Sequence, residues 1–212
     1  MPAAFVFDAY GTLFDVHSVQ QRCEAFWPGK GSQLSQLWRA KQLEYTWQRS
    51  LMQRYVPFST VTREALEYAC AALGLALDAS RLDALMAQYL RLELFPDVRE
   101  ALARLKGHKL AILTNGSPDM IDPLVAQAGL AFDAVLSVHD LKVYKPSPAV
   151  YQLAVDRLGV APAQVGFVSS NCWDALGAKS FGFEVNWINR SGAPVDRLGF
   201  QPDRVLKGLF EL

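Results

Sequence analysis

Ala3-Ala-Phe-Val-Phe-Asp8-Ala-Tyr10-Gly-Thr12-Leu-Phe-Asp15 runs five apolar residues into a carboxylate and then into a Gly-Thr turn. An apolar run of that length, bounded by a turn signal, predicts a short buried strand with Asp8 at its carboxyl end. Open parallel sheets build their ligand sites along that edge. Alone, Asp8 is also readable as a turn-forming aspartate. The later segments of the chain decide between the two readings.

Further short apolar runs occur at Leu110–Leu113, Ala134–Leu136, Val165–Val168 and Val185–Ile188. Stretches of helical period lie around them, at Val98–Leu105, Pro118–Ala128, Pro148–Leu158 and Trp173–Phe181. This alternation predicts repeated βαβ units, hence an α/β fold with a doubly wound, Rossmann-like parallel sheet. Residues 16–92 read differently. They hold long amphipathic stretches (Ser32–Gln53, Ser59–Leu73, Ser80–Leu92) and no convincing strand. The expected arrangement is a core domain of residues 1–15 and 93–212 with an inserted helical cap domain of residues 16–92. Ser59 and Ser80 are the expected helix starts. Asn189–Asp203 is expected to be a loop before a short C-terminal helix.

The chain has 212 residues, 51% of them hydrophobic, and its 21 Lys and Arg balance its 21 Asp and Glu. The size allows a substantial core. The neutral balance offers no electrostatic attraction to nucleic acid or to an anionic membrane. No apolar run is long enough to cross a bilayer, and Met1-Pro-Ala-Ala lacks a basic signal-peptide start. Cys23, Cys70 and Cys172 are scattered and outside any metal-ligand spacing, so reduced cysteines and a cytoplasmic location are expected.

Three later segments bring polar residues to the same predicted edge. Leu113-Thr-Asn-Gly-Ser-Pro118 ends one strand and opens a helix, a ready anion site. Lys142-Val-Tyr-Lys-Pro-Ser-Pro148 places Lys145 before a proline-initiated helix, and Phe167-Val-Ser-Ser-Asn-Cys-Trp-Asp174 carries a second carboxylate past another strand. Four such segments in order favour Asp8 as a carboxylate nucleophile over a structural aspartate.

On these motifs the chain resembles the haloacid dehalogenase superfamily over essentially its whole length. Within it, the chain is similar to the L-2-haloacid dehalogenases at Tyr10, at Leu37-Trp-Arg39 with Lys41-Gln-Leu-Glu-Tyr-Thr-Trp47, and at Ser169-Ser-Asn-Cys-Trp-Asp174. The resemblance implies that Asp8 is the nucleophile and that Thr114, Lys145 and Asp174 occupy the other three motif positions. Phosphatases of the superfamily carry an acid two residues after the nucleophile, because an alkoxide leaves poorly without a proton. A halide needs none. Here that position is Tyr10, a far weaker acid. Ser170 stands where a second acid would help hold magnesium, so metal-independent chemistry without a cofactor is expected. A metal-dependent phosphatase is the alternative.

The implied reaction is hydrolytic dehalogenation of short-chain L-2-haloalkanoic acids, haloacetates included, to D-2-hydroxy acids. Asp8 displaces halide from C2 with inversion, and water then cleaves the aspartyl ester. Lys145 is expected to keep Asp8 ionised, and Arg39 and Asn115 to receive the halide. On helical spacing alone, Arg39 reads as a solvated cation; the resemblance assigns it to the site. Asp174 is the candidate for activating water, with Lys145 and Asn171 assisting, and the sequence leaves the choice of base open. Thr12, Ser169 and Tyr151 are expected to orient these groups. Thr114 and the backbone N–H groups of Ala9 and Tyr10 are candidates for holding the substrate carboxylate. Leu43, Phe58 and Trp173 match apolar pocket positions, and core packing would also explain them. The expected partners are a halocarboxylate, the halide product and a second copy in a homodimer, for which Trp47 and Leu51 are exposed apolar candidates.

Overall fold

The computed structural model describes residues 2–212. The chain begins with β1 (Ala4–Phe7), turns back through β2 (Phe14–Asp15) and enters four helices: α1 (His17–Phe26), α2 (Gly31–Leu51), α3 (Phe58–Ala72) and α4 (Ala79–Gln88). It returns through β3 (Glu93–Leu94) and continues as α5 (Val98–Arg104), β4 (Lys109–Thr114), α6 (Pro118–Ala128) and β5 (Ala134–Ser137). The remainder is α7 (Pro148–Leu158), β6 (Val165–Ser169), α8 (Cys172–Phe181), β7 (Glu184–Ile188) and β8 (Arg204–Leu206).

The main sheet has the order β5-β4-β1-β6-β7-β8, with every pair parallel. All four residues of β1 are buried, as a central strand covered on both faces requires. From β1 the chain builds outward through β4 and β5, then crosses back to lay β6 on the other side of β1. The carboxyl ends of β1 and β6 therefore flank a topological switch point, where an open α/β sheet leaves a crevice. Asp8 follows β1 directly, and Asn171 and Asp174 follow β6. The doubly wound sheet with an inserted helical cap matches the expected fold.

Local chemistry sets the elements that frame this edge. α6 and α7 begin with Pro118 and Pro148 and stop at Gly129 and Gly159, whose positive φ of 60° and 63° suits a left-handed C-cap. In the helical insertion, Leu34, Trp38, Gln42 and Thr46 form a buried stripe at four-residue spacing along α2. That stripe packs on α3, where the Trp38 indole donates to Thr62 O at 2.7 Å. The antiparallel pair β2–β3 sets the two ends of the insertion side by side, with Phe14 opposite Leu94.

Several expectations need correction. α3 starts at Phe58 after Pro57, and α4 is capped by Asp78, whose side chain accepts Arg81 N–H at 2.8 Å; neither Ser59 nor Ser80 is the cap. α1 was not anticipated, because it buries only Val19 and Cys23. The C-terminal loop ends in β8, and only a 3-10 turn (Leu209–Glu211) comes after it. Asp203 leads into that strand by accepting from Lys179 at 2.6 Å and from Val185 N–H at 2.8 Å.

Candidate active site

The turn after β1 is closed on itself. Ala9 O accepts from Leu13 N–H at 2.9 Å and from Phe14 N–H at 3.0 Å, and Gly11 N–H donates to Phe14 O at 2.8 Å. Gly11 has a φ of 86°, and a Cβ there would lie 3.2 Å from the Ser170 hydroxyl, so both conformation and space call for glycine. The turn delivers Thr12 back onto Asp8. Its hydroxyl donates to Asp8 Oδ2 at 3.0 Å while its oxygen accepts Ser170 N–H at 2.8 Å.

Two buried carboxylates share one buried ammonium. Lys145 Nζ lies 3.2 Å from Asp8 Oδ1 and 2.8 Å from Asp174 Oδ2. Asp174 also accepts from Tyr151 Oη at 2.9 Å and from Ser169 Oγ at 3.1 Å. Asn171 Nδ2 donates to Asp8 Oδ2 at 2.9 Å. Asp8 Oδ2 thus has two donors and Oδ1 has one. From the cap, Arg39 Nη2 reaches Asn171 Oδ1 at 3.4 Å, while Nη1 donates to Gln42 Oε1 at 2.8 Å. Asp8, Asp174, Lys145 and Arg39 together carry no net formal charge.

Burial works against the charge on Lys145, but Asp174 and Asp8 outweigh it and raise its pKa, so the ammonium persists. Burial pushes the Asp174 carboxyl up to about 6, assisted by the charge of Asp8 and opposed by Lys145 and the Tyr151 hydrogen bond. A carboxyl in that range can both accept and return a proton near neutral pH. Burial raises the Tyr151 and Tyr10 phenols as well, so both remain protonated.

The remaining candidates fall into three groups. Thr114 Oγ1 accepts Gly116 N–H at 3.0 Å, leaving its own proton free to donate, and Asn115 Oδ1 accepts Lys145 N–H at 3.0 Å, leaving its NH₂ available as a donor. The N–H groups of Ala9 and Tyr10 have no acceptor among the described residues. Tyr10 and Phe58 form an apolar wall, with ring centres 5.9 Å apart. The Tyr10 hydroxyl is buried without a partner among the described residues, and a Cβ on Gly116 would come within 2.8 Å of its ring. Leu43 departs from the expectation of a buried cap residue. It is half-buried and lines, with Arg39, Asn171 and Trp173, a cleft of about 450 Å³ between cap and core. Trp173 also meets Trp47 edge-on at 5.5 Å.

Sequence reasoning missed Gln42 and Arg190. Gln42 is fully buried and anchors Arg39, its Nε2 donating to Thr62 Oγ1 at 2.7 Å. Its position three residues after Arg39 on one helix face was the available signal. Arg190 touches the turn after Asp8 and gave no signal, because it lies in an irregular segment.

The donor set does not fit a hard divalent cation. Such an ion needs several oxygen ligands, yet Asp8 and Asp174 are both engaged by the Lys145 ammonium, and Ser170 supplies a neutral hydroxyl in place of an acid.

The comparisons agree with this geometry. The family model described as haloacid dehalogenase-like hydrolase matches residues 2–182. The (S)-2-haloacid dehalogenase of Pseudomonas sp. (strain YL) is 54% identical over 201 residues, covering 93% of this chain and 87% of that protein. The haloacetate dehalogenase H-2 of Moraxella sp. (strain B) is 47% identical, over 94% of this chain and 91% of its own. Among solved structures, the L-2-haloacid dehalogenase of Xanthobacter autotrophicus with chloropropionic acid covalently bound superposes with a TM-score of 0.92. It shares 46% identity over 100% of this chain and 96% of that chain. With its fold, its buried Asp8–Lys145–Asp174 cluster and these matches, the chain belongs to the haloacid dehalogenase-like hydrolase family.

Proposed function

We propose that the protein is a hydrolase that removes halide from short-chain L-2-haloalkanoic acids, haloacetates included, and yields D-2-hydroxy acids. The observation that carries this reading is the buried Lys145 ammonium between Asp8 and Asp174, with tyrosine at position 10 in place of a proton-donating acid. The site thereby favours a leaving group that departs as a stable anion. A phosphate ester would need a proton for its alkoxide and a metal for its charge, and neither is supported by this donor set.

Asp8 Oδ1, the oxygen with a single hydrogen-bond partner, attacks C2 from behind the halogen. The C2–halogen bond breaks and its electron pair leaves with the halide, which meets the N–H donors of Arg39 and Asn115. Thr114 and the N–H groups of Ala9 and Tyr10 hold the substrate carboxylate. Water then attacks Cγ of Asp8 and passes one proton to Asp174. When the bond from Cγ to the product oxygen breaks, Asp174 returns that proton to the departing oxygen. The regenerated Asp8 carboxyl loses its remaining proton to solvent. One displacement at C2 inverts that centre. Residues 16–92 act as the cap and carry Arg39, Leu43 and Phe58 over a core of residues 1–15 and 93–212.

A homodimer and a cytoplasmic location complete the reading. The first is supported by Leu51 and Met52, which are 86% and 60% exposed at the end of α2, and the second by three free cysteines. Sedimentation velocity should give a two-chain species that Leu51→Glu returns to one chain; a wild-type monomer contradicts the dimer.

Chloride release from L-2-chloropropionate is the primary assay. Asp8→Asn should abolish it and a chelator should leave it unchanged, while phosphate release from an aryl phosphate with added magnesium should be absent. Equal halide release by wild type and Asp8→Asn, or magnesium-dependent phosphate release, overturns the assignment.

The pH profile tests the role of Asp174. Asp174 takes its proton only after halide has left, so the rate of ester hydrolysis, read as hydroxy-acid release after the halide burst, should fall as pH drops and this carboxylate, pushed up to about 6 by burial, becomes protonated. Tyr151→Phe removes a hydrogen bond that favours the charged form, so the acid limb should move to higher pH. A limb that stays in place or moves lower contradicts the assignment of Asp174.

A further inference from the structure

The family match ends at residue 182, yet the segment beyond it sends one side chain into the nucleophile's turn. Arg190 follows β7. Its Nη1 donates to Gly11 O at 3.2 Å and its Nη2 to Thr12 O at 3.2 Å. Nη2 also lies 3.4 Å from Asp97 Oδ1, and the guanidinium carbon sits 3.9 Å from the centre of the Phe95 ring. These supports are themselves fixed. Asp97 Oδ2 accepts Leu209 N–H at 2.7 Å, and Phe95 N–H donates to Leu13 O at 3.0 Å.

Backbone accounting shows what this cation supplies. Between Ala9 and Phe14, the Ala9 and Phe14 carbonyls are satisfied inside the turn, Tyr10 O accepts from Asn171 at 3.3 Å, and Leu13 O accepts from Phe95 N–H. Gly11 O and Thr12 O remain, and Arg190 is the donor to both. A planar fork can bridge two carbonyls at once, whereas a lysine ammonium is a single point on a flexible stem.

We infer that Arg190 is a positioning residue for the reaction. By holding the Gly11 and Thr12 carbonyls, it keeps the Thr12 hydroxyl on Asp8 Oδ2 and so leaves Oδ1 directed at C2. It acts through Thr12, and its polar partners among the described residues are Gly11 O, Thr12 O and Asp97, not Asp8. The carbonyls bound by Arg190 belong to the two peptide units on either side of Thr12, whose N–H groups are held by Ala9 O at 3.3 and 2.9 Å, so loss of the fork releases the carbonyl end of each unit and lets the hydroxyl shift off the carboxylate. The inference rests on Asp8 being the nucleophile, as proposed above.

The test is a double-mutant cycle read in single-turnover halide release from L-2-chloropropionate. Arg190→Met keeps an apolar stem over Phe95 and removes the fork; it should slow ester formation by roughly 100-fold, the scale of a misplaced reacting group. Arg190→Lys, which keeps the charge, should recover no more than about a tenth of the wild-type rate. Because Arg190 acts through Thr12, Arg190→Met combined with Thr12→Ala should be within about threefold of the slower single variant. An Arg190→Met rate within about twofold of wild type, or losses that multiply in full, overturns the inference. A crystal structure of Arg190→Met decides the same question without the reaction. The Thr12 hydroxyl should leave Asp8 Oδ2, and its retention there refutes a positioning role. A wild type that releases no halide instead overturns the dehalogenase reading, and the crystal structure still decides the role of Arg190.

Discussion

Lys145 Nζ bridges Asp8 and Asp174 in the interior of the molecule, and the rest of the site is arranged to keep that bridge intact. Two carboxylates and an ammonium taken out of water lose several kcal/mol of hydration each, which their mutual attraction offsets only with good geometry and further hydrogen bonds. Those bonds come from separate parts of the fold: Thr12 from the first turn, Tyr151 from α7, Ser169 from the end of β6 and Asn171 just beyond it. None of these residues is near all the others in sequence. The parallel register of β1 against β6 brings Thr12 to Ser169 and Asn171, and the packing of α7 on α8 adds Tyr151, so the sheet order is a requirement of the chemistry as well as of the core.

The same bridge explains how a site aimed at an anion can hold an anionic nucleophile. With Arg39 the cluster carries no net formal charge, and the N–H groups of Ala9 and Tyr10 have no acceptor among the described residues. Two helices of the cap, α2 and α3, support the guanidinium. Gln42 fixes Arg39 from one side, and its amide is in turn fixed by Thr62, whose hydroxyl donates to Phe58 O at 2.7 Å. A chain of hydrogen bonds, buried except at its Arg39 end, therefore runs from the apolar wall at Phe58 to the guanidinium of Arg39. Such a network is preorganised for developing charge, commonly the largest contribution to catalysis.

How much of this was legible in the sequence depended on the kind of signal. The five principal strands were readable because each holds a short, mainly apolar run, interrupted in β7 by Asn186, and α6 and α7 because proline opens them and glycine closes them. Asp8 and Asp174 were readable because they follow such runs, and Lys145 because it precedes a proline-initiated helix. β8 has three residues and β2 and β3 have two, too short for any periodicity, and they exist through pairing rather than propensity. Gln42 and Thr46 conceal the buried stripe of α2 because they are polar residues in apolar positions. Leu43 shows the converse: an apolar residue on the cap that faces the cleft. Arg190 was invisible for another reason, since its partners are backbone carbonyls about 180 residues away.

The central claim is that Asp8 itself becomes bonded to C2. A single turnover in water enriched in heavy oxygen, with enzyme in excess and both product and Asp8-containing peptide weighed, tests it most directly. Attack by Asp8 gives an unlabelled hydroxy acid in the first turnover and one solvent oxygen incorporated into Asp8. A labelled product with unlabelled Asp8 would mean that water attacks C2 directly, and would contradict it.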